Sequence, residues 1–157
     1  MLVPSPQDYM EDHMSACRIA LGGAFVRGMP NYVSSPSRDA IDTDVTIYHA
    51  MPHGLSDALR KPIVADFVVD VTSVIDRKAV ALECHQSQKD WLGRTQGMGS
   101  YVDTMKELNA EAGRQTGSSP YAEGWQRHLH LGYSRNEQTP LETLLADVIS
   151  VPKNLSS

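Results

Sequence analysis

The residues best suited to chemistry stand close together in the stretch 8–13, directly behind a proline-containing start. Asp8 and Asp12 supply carboxylates and His13 supplies an imidazole, and an apolar segment follows at 14–26. We predict a polar loop that leads into a helix, with Asp12 as the N-cap and His13 in the first turn. In an open α/β sheet such a loop lies where ligands bind. A histidine there can bind a metal through one ring nitrogen while a carboxylate holds the other.

A structural role for this stretch is the competing interpretation. An aspartate and a histidine beside a helix start are common in proteins that bind no metal. A zinc site uses at least three protein ligands, and His13 is one. The spacing alone therefore leaves both interpretations open.

Composition excludes several classes of function. The chain has 157 residues, of which 41% are hydrophobic and 21% charged, as in an ordinary globular domain. The net charge is −5, so no basic surplus exists to bind nucleic acid or an anionic membrane. No apolar run is long enough to span a bilayer, and the start lacks the pattern of a secretory signal. We expect a cytoplasmic protein whose two cysteines, Cys17 and Cys84, are reduced.

The elements that position the stretch 8–13 follow from the periodicity. Strands and helices alternate, which favours an α/β architecture with a largely parallel sheet. Thr139, Pro140 and Glu142 give the clearest helix start in the chain. The other predicted helices are 14–26, one from Ser73 to about Gln88, and one that contains 101–112. The predicted strands are 45–49, 67–71 and a short third strand at 127–131.

Three segments resemble motifs of one enzyme family, and they follow one another in the order that this family has. The stretch 8–13 resembles the second metal motif, Asp-x-His-Pro-Asp-His, of the LmbE-like (PIG-L) deacetylases. The strand 67–72, with Lys78 and the stretch 84–88, is similar to that family's strand and Lys…His-x-Ser-Gln helix. The stretch 121–125 resembles its late Tyr-Ala-Glu-x-Phe segment. Together the matches cover about residues 5 to 135.

The resemblance implies a zinc-dependent hydrolase that removes the N-acetyl group of a GlcNAc-type sugar or glycoconjugate. It assigns His13 as a zinc ligand, Asp12 as the neighbouring aspartate that supports catalysis, and Tyr121 as a tyrosine near the oxyanion. Met10 stands where the family has a second histidine, and methionine cannot transfer a proton. The remaining implied residues, which line or brace the substrate pocket or have a purely structural role, are His85 and Gln88.

The family's first metal motif, His-Pro-Asp-Asp, is absent from the sequence. In the family that motif supplies two zinc ligands and the general base. The resemblance therefore implies a partial Rossmann-like layered fold that lacks the N-terminal strands. It also implies that residues 1–151 are the C-terminal portion of a deacetylase domain, followed by a frayed tail at 152–157. We expect such a chain to bind zinc only when the missing half completes the site, and to be inactive alone.

Two further hypotheses remain open at this stage. The chain is a binding module without catalysis that self-associates, since missing strands leave an exposed sheet edge. Alternatively, it is a metalloprotein that uses its own histidines: His13, His49, His53, His128 and His130. The alternation of the last two predicts that both lie on one strand face.

Overall fold

The computed structural model describes residues 1–87, 90–91 and 101–152. They form two compact units. The first unit comprises Met1–Ile63 and Trp125–Ala146, and the second comprises Val64–Gly124 and the chain from Asp147 onward.

The first unit is built on strand β1 (Leu2–Val3), helix α1 (Glu11–Val26) and strand β2 (Tyr48–Ala50). β1 pairs parallel to β2, so the two strands and α1 form a β-α-β crossover. Residues 125–127 pair antiparallel with β2. The buried residues of α1, Cys17 and Ala24, pack with Val3 and Ile47 into one apolar cluster. The predicted helix is confirmed.

The start of α1 differs from the prediction. The helix begins at Glu11, and its N-cap is Met10, which makes no side-chain capping bond. Asp12 as N-cap is therefore wrong, because it already lies inside the helix. His13 does lie in the first turn.

The second unit contains strand β3 (Phe67–Asp70) and helices α2 (Ile75–Glu83) and α3 (Tyr101–Thr116). Strand β4 (Ala122–Arg127) contributes its first half to this unit and its second half to the first unit. Strand β5 (Ile149–Ser150) pairs antiparallel with β3. The buried positions of β3, including Val68 at 0% exposure, explain its near-continuous apolar sequence.

The strands follow the order β1-β2-β4-β3-β5. The α/β class is confirmed, but the sheet is mixed, and the largely parallel sheet of the prediction is wrong. The prediction took each strand that follows a helix as parallel, whereas β4 runs antiparallel to β2. β1 and β5 have two residues each, too few for a period of two to mark them in the sequence. The third strand lies at 122–127, not at 127–131.

Helix α4 (Pro140–Leu144) begins at Pro140, as the sequence predicts. It ends one turn later, and the segment 146–148 is a 3-10 turn rather than a continuation. Among the described residues, none of the helices has the length and apolar character needed to cross a membrane.

α4 is held by a buried tyrosine. The Tyr48 hydroxyl donates to Glu142 Oε2 at 2.5 Å and accepts the Leu141 N–H at 3.3 Å. Arg127 Nε lies 3.4 Å from the other carboxylate oxygen. Burial, followed by the Glu142 carboxylate, raises the pKa of Tyr48 to about 12. The hydroxyl therefore remains protonated and keeps its bond to Glu142 at neutral pH.

We expect Tyr48→Phe to lower the free energy of unfolding by about 1–3 kcal/mol, because a half-buried carboxylate loses its donor. The Tyr48 pKa lies above its usual value of 10.0, so this stabilisation is present below pH 10 and is lost as the pH rises through about 12. Urea unfolding at neutral and alkaline pH measures both effects. Tyr32→Phe, at a residue that is 55% exposed, is the matched control. It should change neither the free energy of unfolding nor its dependence on alkaline pH.

Candidate functional site

The site around His13 is defined by a bond between two side chains of the stretch 8–13. Asp8 Oδ2 lies 3.0 Å from His13 Nδ1, and Asp8 Oδ1 accepts the Met10 N–H at 3.0 Å. The Asp8 side chain is 3% exposed, whereas the His13 side chain is 43% exposed. Both carboxylate oxygens of Asp8 are thus used to fix the loop and the ring.

The bond to Asp8 determines which ring nitrogen of His13 is free. A carboxylate only accepts, so Nδ1 carries the proton. In the neutral ring Nε2 then has a lone pair, which is the form of histidine that binds a metal. The arrangement can therefore supply one oriented metal ligand at a half-exposed position.

Asp12 bonds to the backbone of His13 rather than to its ring. Its carboxylate Oδ1 accepts the backbone N–H of His13 at 3.1 Å, and the residue is exposed. The carboxylate that holds the His13 ring is that of Asp8, five residues before it. The sequence contains both aspartates, but only the loop conformation decides which one reaches the ring.

A second histidine, His53, contacts the stretch 8–13 at the ring of Tyr9. The rings of Tyr9 and His53 lie with their centroids 5.6 Å apart, tilted by 55°. His53 begins a 3-10 turn, His53–Leu55, just after β2, and Pro52 before it is buried. Both rings are exposed. His53 is thus beside the loop that carries Asp8 and His13, a proximity that no local spacing in the sequence signals.

A third histidine cluster lies within the first unit. His49, 3% exposed, has Nδ1 3.0 Å from the Pro4 carbonyl oxygen and Nε2 2.9 Å from His128 Nδ1. The carbonyl only accepts, so His49 donates from Nδ1 and accepts at Nε2 from His128. The Cys17 thiol lies 3.7 Å from His49 Nδ1, and burial raises its pKa. The cluster joins Pro4 after β1, Cys17 on α1, His49 on β2 and His128 after β4.

Desolvation, and then the neighbouring His49, lower the pKa of His128 below its usual value of 6.5. The Cys17 thiol lies beside His49, and the ring of Tyr133 lies against His128 with their centroids 5.1 Å apart. The folded state binds a proton less readily than the unfolded state. The stability from this group is therefore complete above pH 6.5 and is lost as the pH falls through the lower, folded pKa.

We expect wild-type stability in urea to fall on acidification across this range, and the His128→Gln variant to lose part of that dependence. His85→Gln, the same change at an exposed histidine, should keep the wild-type profile. Identical profiles for wild type and His128→Gln contradict the prediction.

The second unit holds the other predicted site residues. Tyr121 is held through its backbone, which exchanges hydrogen bonds with the Thr72 hydroxyl and accepts the Val71 N–H at 3.0 Å. His85 is exposed and lies beyond the end of α2 at Glu83. The predicted helix to Gln88 is thus too long, and Gln88 itself lies outside the described residues.

The lysine of the resemblance acts as a brace. Lys78 Nζ on α2 donates to Glu123 Oε1 on β4 at 2.5 Å and to Asn109 Oδ1 on α3 at 3.1 Å. One ammonium thus joins three elements of the second unit. These contacts give Lys78 and Glu123, two residues of the resemblance, a structural role in the second unit.

Among the described residues, the histidines do not form a complete metal site. Over the described ranges 1–87, 90–91 and 101–152, no group of three or more His, Cys, Asp or Glu side chains could hold a metal ion. His128 and His130 follow the end of β4, so the predicted shared strand face is wrong, although both line one cleft with Tyr133 and Glu137.

No family model and no curated protein matches the chain. Among solved structures, the chain is similar to the crystal structure of GalB, the 4-carboxy-2-hydroxymuconate hydratase of Pseudomonas putida KT2440. The TM-score is 0.54 and the sequence identity 24%. The match covers 88% of this chain and 53% of the other, so the chain spans about half the length of that structure. The likeness is one of fold.

Proposed function

We propose that this chain is the C-terminal part of a zinc-dependent enzyme that activates water, and that His13 is one of its metal ligands. The observation that carries the proposal is the bond from His13 Nδ1 to the buried Asp8 carboxylate. Carboxylate–histidine pairs of this kind orient metal ligands, since they fix the tautomer and raise the basicity of the free nitrogen. The half-exposed His13 ring is accessible to a metal held jointly with other residues.

The reaction proposed first is hydrolysis of the N-acetyl group of a GlcNAc-type sugar or glycoconjugate. It rests on the resemblance of the stretch 8–13 to the LmbE-like metal motif. Zinc in such a site lowers the pKa of bound water and polarises the carbonyl. Within this chain, His13 binds the metal, and the Asp8 carboxylate holds its ring. The two remaining ligands and the general base come from residues outside this sequence.

A second candidate is the addition of water to an unsaturated carboxylic acid. It is favoured by the fold likeness to GalB, whose title describes a hydratase. Both reactions need an activated water molecule, so His13 has the same role in each. The two candidates differ in substrate and are separated by assay.

The test begins with the gene. The reading frame upstream of the Met1 codon is sequenced, and the extended protein is expressed and assayed for zinc content. Its acetate release from N-acetylglucosamine conjugates and its water addition to a conjugated dienoic acid are then measured. We expect an upstream His-Pro-Asp-Asp motif and about one zinc per chain, lost in His13→Ala together with activity.

His85→Ala is the matched control, since it removes an exposed imidazole outside the stretch 8–13 and should retain zinc. An extended protein without the motif, or one whose zinc content is equal in wild type and His13→Ala, contradicts the proposal. Water addition without acetate release favours the second candidate.

A further inference from the structure

The cleft that His128 and His130 line in the first unit contains a nitrogen atom that can only accept a hydrogen bond. His49 Nδ1 donates to the Pro4 carbonyl at 3.0 Å, so His49 Nε2 accepts the proton of His128 Nδ1 at 2.9 Å. His128 Nε2 therefore holds a lone pair in the neutral ring. Burial, and then the neighbouring His49, lower the pKa of His128, so the ring is neutral at pH 7.

This lone pair is accessible. Among the described residues, His128 Nε2 has no hydrogen-bond partner, and it is not one of the buried side-chain atoms that lack a partner. Its position is fixed, because the bond to His49 holds the ring and the tautomer. The cleft thus offers an oriented acceptor at neutral pH.

The free charge in the cleft wall is negative. Glu137 lines the cleft, is exposed, and forms no ion pair within the part of the chain that the structure describes. Arg127 also lines the cleft, but its Nε lies 3.4 Å from Glu142 Oε1, which offsets its charge. A free carboxylate and an imidazole lone pair together favour a ligand that is cationic and donates hydrogen bonds.

The size of the cleft restricts the cation further. Its enclosed part has room for a group of the size of a water molecule. A primary ammonium group has about that size and carries three N–H donors. Hard metal cations take oxygen ligands and gain nothing from an imidazole nitrogen. The described residues also form no group of three or more side chains that could hold a metal ion.

Backbone hydrogen bonds hold the two sides of the cleft together. The Val45 N–H donates to the Tyr133 carbonyl at 2.9 Å, and the His128 N–H donates to the Ile47 carbonyl at 2.9 Å. All four residues line the cleft. Since the walls are already ordered, a small ligand binds without the cost of ordering them.

We propose that this cleft binds a primary ammonium group, with His128 Nε2 and the Glu137 carboxylate as its acceptors. Val45 and Leu129 add apolar side chains to the wall, which suit the alkyl carbon attached to the nitrogen. The ligand is therefore an alkylammonium ion, supplied by a small amine or by a lysine side chain. This site is separate from the stretch 8–13, and the inference does not depend on the function proposed for His13.

The 157-residue chain is titrated with methylammonium chloride, and potassium chloride keeps the ionic strength constant. Long-range ¹H–¹⁵N NMR follows the two ring nitrogens of His128. We expect the Nε2 resonance to move toward the position of a protonated nitrogen, while Nδ1 keeps its proton. The shift should saturate with a Kd of about 10 mM, near the limit for a ligand of two heavy atoms. Tetramethylammonium, which has the charge but no N–H, should not produce this shift.

Glu137→Gln tests the charge of the cleft, since it keeps the shape of an exposed side chain and removes the carboxylate. It should weaken methylammonium binding about fivefold, the upper range for an exposed ion pair. Glu107→Gln is the matched control, because it makes the same change at an exposed residue of α3 in the second unit. It should bind methylammonium as wild type does.

A shift that does not saturate, or the same shift with tetramethylammonium or with potassium alone, overturns the inference, since the cleft then holds water and responds to salt. Equal affinities in wild type and Glu137→Gln also overturn it. The source of the ammonium group is identified with Nα-acetyllysine amide and butylammonium. Equal affinities for the two support a small amine, and tighter binding of the lysine derivative supports a lysine side chain.

Discussion

Asp8→Asn should move the proton of the His13 ring from Nδ1 to Nε2. The asparagine side chain has nearly the same shape, and its oxygen can keep the bond from the Met10 N–H. Its amide nitrogen then faces His13 Nδ1 and donates to it, so Nδ1 becomes the acceptor. The proton passes to Nε2, the atom that must carry a lone pair to bind a metal. The substitution thus removes a ligand without removing the histidine.

The tautomer is measured directly on the 157-residue chain by long-range ¹H–¹⁵N NMR of the imidazole. Wild type should show a protonated Nδ1, and Asp8→Asn a protonated Nε2. In the extended protein the same substitution should weaken zinc binding by about 10–100-fold, the usual effect of losing such a partner. A wild-type tautomer in Asp8→Asn contradicts the assignment of Asp8.

Asp12→Asn is the matched control. It makes the same chemical change at an exposed carboxylate whose Oδ1 accepts the backbone N–H of His13 at 3.1 Å. The ring tautomer and the zinc affinity should stay as in wild type. A larger loss of zinc affinity from Asp12→Asn than from Asp8→Asn would reverse the roles that the structure gives these two residues.

The pair Asp8 and Asp12 shows how far local sequence can predict this site. The composition of the stretch 8–13 was enough to predict a loop, a helix and a histidine in its first turn. It could not decide which aspartate holds the ring, because both choices use the same residue types at plausible spacings. The decision depends on the helix starting at Glu11 with Met10 as its N-cap, which buries Asp8 and exposes Asp12.

The contacts of His49 and His53 could not be predicted at all. His49 meets His128 across 79 positions of sequence, and His53 meets Tyr9 across the whole of α1. Such contacts follow from strand register and loop path, neither of which has a periodic signal. The direction of β4 could not be predicted either, since its residues fit a parallel or an antiparallel pairing equally well. Periodicity predicted which segments are helices and strands, and tertiary pairing decided their directions.

Gly113→Ala is expected to destabilise the protein, whereas the same change at Gly22 or Gly23 is expected to stabilise it. Gly113 is buried on α3, and a Cβ there would collide with the backbone oxygen of Ser119 and contact Pro120. The chain returns to this point because Gly117, with a φ of +67°, ends the helix and its N–H bonds to the Gly113 carbonyl at 3.0 Å. Backbone cannot move aside as a flexible side chain can. We expect a loss of about 1–3 kcal/mol in the free energy of unfolding.

Gly22→Ala and Gly23→Ala are the matched controls, and their sign should be opposite. Both glycines lie within α1, are exposed, and have nothing within 4 Å of an added Cβ. Alanine there removes the conformational entropy cost of glycine and should raise stability by about 0.5–1 kcal/mol each. Urea unfolding of the three variants measures the contrast. A stable Gly113→Ala would show that the segment after Gly117 does not pack on α3, because the close approach is what requires glycine at that position.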